Sequence, residues 1–275
     1  MSKTVGRPTA EDLLIERIAA SQDIADLNDI AKLYESRKVE CFSPDFINKA
    51  WSCYEVTVQQ GHAFNGTSVW SPHAFGEAFA TAWARHLVAS AIRLRGDSLG
   101  LSMPPIRPGI ICMYHFPLYP LCMEVVVGKD ILVLVHREFP WAKGANIANV
   151  HAPDVARRIF RHLRAGGSVI AMVDYKYDMT RGIDVDFIGL PAQLPRGIFD
   201  LSHRMGLSIG LVTGLDIAGM QLLYKGIARV QSDTSETLAQ KVANEISAEI
   251  VRSPPEWLMW PNFSHLWPFD PWKDY

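Results

Sequence analysis

Apolar residues recur every third or fourth position in the first third of the chain, and in short unbroken runs after it. From Thr9 to about Arg37 the series Leu13, Leu14, Ile18, Ile24, Leu27, Ile30 and Leu33 predicts one long helix, or two joined near Ser21, with Thr9 as N-cap. The same period over 43–60 and 71–95 predicts two more helices. In the second, Ser71 is placed to cap and Pro72 to take the first helical position. A proline-rich connector, "LGLSMPPIRPG", ends this helical region near Gly109. Beyond it come "IICMY" (110–114), "ILVLVH" (131–136), "SVIAMVD" (168–174), "IDVDFIG" (183–189) and "LSIGLVTG" (207–214), with helical stretches at 152–165 and 196–206. Continuous apolar strands spaced by amphipathic helices predict an α/β fold. The expected architecture is a central, mainly parallel or mixed sheet flanked by helices, with a helical N-terminal region over 1–100 packed on a core over 101–275, all in one domain.

Composition narrows the function. With 27 basic and 29 acidic residues the formal net charge is -2, which gives no global field for a nucleic acid. The four cysteines form neither a CxxC pair nor a zinc spacing, and no apolar run reaches the ~18 residues of a spanning helix. A cytoplasmic chain with reduced thiols is expected. No phosphate-binding GxxxxGK[ST] occurs, and the glycines of "RAGGSVIAMVD" precede their strand rather than follow it, so neither a nucleotide cofactor nor a metal is expected.

In open α/β sheets chemistry gathers beyond the carboxyl ends of the strands. Three polar residues stand there: His115 after "IICMY", Arg137 after "ILVLVH", and Asp174 closing "SVIAMVD". A strand-end imidazole suits general base work near neutral pH.

In order and spacing, "ICMYH", "LVLVHR", "RRIFRHLRAGGSVIAMVD", "IDVDFIGLPAQLPRGIFDLSHRMGLSIGLV" and "EISAEIVRSPPEWLMW" resemble the lipid A biosynthesis acyltransferases. These form the HtrB-like branch of the lysophospholipid acyltransferase superfamily, and the likeness spans about 160 residues from 109 to 267. The resemblance implies transfer of a fatty acyl chain from a carrier thioester, on acyl carrier protein or coenzyme A, to a hydroxyl of a lipid or glycolipid. It implies His115 as general base, with Arg137, Asp174 and Lys176 on the substrate side. The family's H-x-x-x-x-D/E motif supplies an acid five residues after the histidine, to fix its tautomer.

Here that position is Pro120, which can neither accept a hydrogen bond nor carry charge. Glu124 lies one helical turn further on, out of easy reach if 118–127 is helical. The literal match "HLWPFD", His265 to Asp270, lacks a preceding strand, and one such match is expected by chance among nine histidines. Two readings stay open. His115 acts with another acceptor, such as Asp174, a backbone carbonyl or Glu124; or the chain is an inactive homologue that binds an acyl chain or acyl carrier. Pro117 and Pro120 have no N–H, which leaves Phe116, Leu118 and Tyr119 as local donors for an oxyanion.

The family's N-terminal membrane helix has no counterpart in the charged residues 1–40. Four of the eight tryptophans, Trp257, Trp260, Trp267 and Trp272, fall in the last 19 residues. Trp257 and Trp260 are expected in the core. The tail after Ser264 is left for the cytoplasmic face of the inner membrane or a protein partner.

Overall fold

The computed structural model describes residues 43–266 apart from short stretches at 61–62, 65–68, 97, 106–107, 128, 137–138, 140–141, 143 and 176–181. The helix expected over 9–37, Arg137, Lys176 and the aromatic tail beyond 266 therefore lie outside the described residues.

Two helices come first, α1 (Pro44–Gln60) and α2 (Pro72–Arg95), and the Ser71 hydroxyl accepts from the Ala74 N–H at the start of α2 as its position predicts. They precede a six-stranded sheet of order β3-β2-β4-β1-β7-β8. Its strands are β1 (Gly109–Met113), β2 (Ile131–Val135), β3 (Asn146–Asn149), β4 (Ser168–Met172), β7 (Ser208–Asp216) and β8 (Gln221–Ile227). All neighbours pair in parallel except β7 and β8, so the fold is α/β with a mixed, mostly parallel sheet. The helices along it are α3 (Cys122–Val126), α4 (Val155–Arg164), α5 (Arg196–Met205) and α6 (Ser235–Arg252). Every residue of β1 is buried, which is why its sequence runs apolar without alternation.

The segment "IDVDFIG" is not a strand of this sheet. Residues Gly182–Phe187 form β5, which pairs antiparallel with β6 (Leu190–Pro195) in a separate hairpin. The physical reason is its alternation: Ile183, Val185 and Phe187 are buried while Asp184 and Asp186 are exposed, the signature of a strand wet on one side. The turn holds Ile188 and Gly189 at φ of 52° and 82°. A β-branched residue is strained there. Ile188 is nonetheless fully buried, and its N–H donates to the Ser247 hydroxyl on α6. The edge strand β3, "NIAN", carries no apolar run to announce it, and the other edge, β8 (Gln221–Ile227), is not among the expected strands although it carries Leu222, Leu223 and Tyr224.

An aromatic cluster joins the helical region to the sheet. Tyr54 of α1 stacks on Phe75 of α2 (4.8 Å between centroids) and meets Trp260 edge-on (5.6 Å), while Trp260 packs against Trp257 (4.8 Å). Both tryptophans are buried, as expected, Trp257 directly after the first 3₁₀ turn that follows α6 and Trp260 at the start of the second. Such pairs add ~0.5–1.5 kcal/mol each beyond the area they bury.

Candidate active site

The parallel ladder of β1 and β4 decides what meets at the sheet's edge. Met113 lies opposite Met172, and the Val173 N–H donates to the Met113 carbonyl at 2.9 Å, so the chain leaves both strands with His115 beside Asp174. The imidazole Nδ1 lies 2.8 Å from Asp174 Oδ1. The His115 backbone N–H donates to Asp174 Oδ2, also at 2.8 Å. A third donor reaches the same oxygen: Trp257 Nε1, at 2.8 Å. The carboxylate is fully buried and every bond is made by a residue distant in sequence.

An ionised carboxylate only accepts; opposite one, a neutral imidazole donates from Nδ1 and keeps its lone pair on Nε2. The side chain of His115 keeps 22 % of its surface exposed, and it lines a cavity. From the other side, its carbonyl accepts from the Leu258 N–H at 3.0 Å. Asp174, expected among substrate-contacting groups, is instead placed beneath His115. There it orients the ring and has no surface to offer a ligand.

The nearer acid in sequence goes elsewhere. Residues 119–121 form a 3₁₀ turn before α3, and Glu124 faces the connector, accepting from the Leu99 and Leu101 N–H groups and the Ser98 hydroxyl at 2.9–3.1 Å. Partial burial works against its ionisation. The hydrogen bonds from Leu99, Ser98 and Leu101 together outweigh that and hold its pKa below the usual carboxylate value. Of the loop's expected oxyanion donors, Phe116 and Tyr119 already give their N–H groups to the carbonyls of Tyr114 and Phe116.

The cavity beside His115 measures about 380 Å³. Its floor is the sheet face that carries Met113, Val133, Val135, Ile170 and Met172. Its roof is Val155 and Ile159 of α4 with Ile198 of α5; Tyr119, Met123 and His136 also line it. The charged groups Arg196 and Asp200 stand at one wall, and the Arg196 guanidinium is engaged by Glu236 (2.9 Å) and the Gly182 carbonyl (3.3 Å). Among the described residues that line it there is no serine, threonine or cysteine. Cys112 and Cys122 are free, and burial pushes both thiols well above their ordinary pKa, so neither is an activated nucleophile. Among the described residues no three His, Cys, Asp or Glu side chains gather as a metal site.

Behind this site lies a second histidine. His86 of α2 sits 4.9 Å from the Tyr119 ring, which also meets His115 edge-on at 5.4 Å. Burial, with the nearby His115 adding to it, lowers the His86 pKa from 6.5 to about 3, against a hydrogen bond to the Pro117 carbonyl that works the other way. Its Nδ1 has no partner among the described residues.

Sequence reasoning brought His115 to the site and named Asp174 among its substitute acceptors. It missed two residues, His136 and Trp257. His136 closes the strand run of β2, so the rule that selected Arg137 selects it equally. Trp257 was legible only as core, although a buried indole N–H needs an acceptor. Against known proteins, the chain matches no family model, and no curated protein is significantly similar to it.

Proposed function

We propose that the protein is an acyltransferase that moves a fatty acyl chain from a thioester to the hydroxyl of a lipid or glycolipid acceptor, with His115 as general base and Asp174 as its orienting acid. The observation that carries this reading is the 2.8 Å His115–Asp174 pair at the wall of an apolar cavity. The described lining offers no serine, threonine or cysteine for the base to activate. The base acts on a hydroxyl that arrives with the substrate.

The step balances simply. Nε2 takes the acceptor's hydroxyl proton as the oxygen attacks the thioester carbonyl. The tetrahedral intermediate collapses to the ester and expels the thiolate, which recovers the proton from the imidazolium. Asp174 stabilises that imidazolium and keeps the neutral ring in the tautomer that presents its lone pair, the part played by the carboxylate of a catalytic triad. The acyl carrier protein or coenzyme A thioester is a co-substrate on this reading and no further cofactor is needed. No described helix is long and apolar enough to cross a membrane. The proposal goes with work at the cytoplasmic face of a membrane.

The cavity also sets a length. At ~30 Å³ per water-sized group, 380 Å³ holds about a dozen methylenes. The test is thiol release from a series of acyl thioesters of increasing chain length. Rates should rise to about a dozen carbons and fall beyond, and a rate independent of length would contradict an acyl chain in this cavity.

A further inference from the structure

The helix that roofs the cavity has a second face. Inward, α4 (Val155–Arg164) buries Ile159 and Leu163; outward it exposes Arg157, Arg158, Phe160, Arg161 and Arg164, with no acidic residue along its length. Arg157, Arg161 and Arg164 fall at i, i+4 and i+7, so they form one row about 10 Å long. None of them takes part in an ion pair among the described residues. Arg158 is held to one side by Asn146 Oδ1 at 2.7 Å, and Arg164 lies over the Phe160 ring, 4.7 Å from its centroid. Like charges a turn apart repel, though Arg161 and Arg164 stand in the last turn, where the helix dipole favours them, and the row gathers positive charge in a chain whose net charge is -2.

We propose that the outward face of α4 docks an acidic helix of the carrier protein that delivers the acyl thioester; this rests on the acyltransferase reading. Three features select that partner. Guanidinium forks match carboxylates in bidentate geometry. A single row on one helix fits a second helix laid along it, whereas a bilayer presents a plane. The apolar stripe of α4 is already spent on the sheet, which leaves Phe160 as the only large apolar side chain on the outward face and nothing to immerse in lipid. The first half of the same helix lines the acyl cavity through Val155 and Ile159, while its last turn, with Arg161 and Arg164, lies toward the start of β4. A carrier laid along the row must therefore reach the site, at the strand's far end, with its prosthetic arm.

The experiment measures binding of a fluorescently labelled dodecanoyl acyl carrier protein to the full chain by anisotropy, at low and high salt. The Arg157→Glu/Arg161→Glu variant is compared with Lys49→Glu, an exposed control on α1. The double reversal should weaken binding about tenfold or more, wild-type affinity should fall with salt, and Lys49→Glu should bind as wild type. Turnover of the carrier thioester should fall by the same factor, while turnover of the uncharged acyl pantetheine stays unchanged. Should the double variant fail to melt cooperatively, Arg161→Gln alone should give a smaller loss in the same direction.

Equal carrier binding by wild type and variant overturns the proposal, as does absence of binding at low salt. Loss of binding to phosphatidylglycerol vesicles with carrier binding intact makes the face a membrane contact and overturns it too. Because binding is read without turnover, docking that depends on the arginines in a protein inert to every thioester would sink the acyltransferase reading and leave the docking face standing.

Discussion

Two histidines lie against one tyrosine ring, and they differ in exposure and in partners. His115 keeps part of its surface, lines an apolar cavity and has a buried carboxylate on Nδ1. His86, also against Tyr119, is buried, meets no carboxylate among the described residues and is held neutral. The comparison shows that desolvation alone makes a histidine inert. The proposed role of His115 as a base rests on what His86 lacks, a buried carboxylate on one ring nitrogen and a place at the wall of a cavity. The carboxylate must itself be supported, and here the support comes from the His115 N–H and the Trp257 indole.

The largest break in that comparison is His115→Ala, which should lower thioester turnover about 10⁴-fold with little change in melting temperature. Asp174→Asn keeps the shape but offers Nδ1 an amide in place of a carboxylate. Turnover should fall about 10³-fold, and substrate KM should move far less than kcat.

His86 gives a pH signature of its own. Its folded pKa of about 3 lies below the unfolded 6.5, so between those values the unfolded state binds a proton that the folded state excludes. The stability this group allows is complete above 6.5 and is lost as pH falls toward 3. Wild type should therefore lose stability relative to His86→Gln at about 1.4 kcal/mol per pH unit below 6.5, in denaturant melts at stepped pH.

Trp257→Phe keeps the aromatic packing and deletes the donor to Asp174. It should cost about 1–2 kcal/mol in the same melts and slow turnover several-fold. Smallest of all, Glu124→Gln should cost about 1 kcal/mol through the connector and leave turnover within about twofold of wild type, because Glu124 has no part in orienting His115.

How far the sequence reveals this arrangement depends on range. Ser71, Pro72 and the 3.6-residue period announce α2, and the continuous run "GIICM" announces a strand buried on both faces, because these are local patterns. The acid could not be found by local counting. The position five after His115 is Pro120, and the acceptor arrives 59 residues later on a neighbouring strand. The ladder of β1 and β4 brings it there, and strand order is a property of the assembled sheet. The β5–β6 hairpin was legible in principle, since Asp184 and Asp186 alternate with apolar residues where the parallel strands do not. The short edge β3 is fixed by pairing, which a polar run such as "NIAN" does not disclose.

The most direct test of the central claim is thiol release from a dodecanoyl thioester by wild type, His115→Ala and Asp174→Asn, measured side by side on proteins shown to melt cooperatively. A base oriented by a distant carboxylate predicts turnover by wild type, its loss in His115→Ala and a near-complete loss in Asp174→Asn. Equal rates in wild type and Asp174→Asn, or no turnover by wild type, would contradict it.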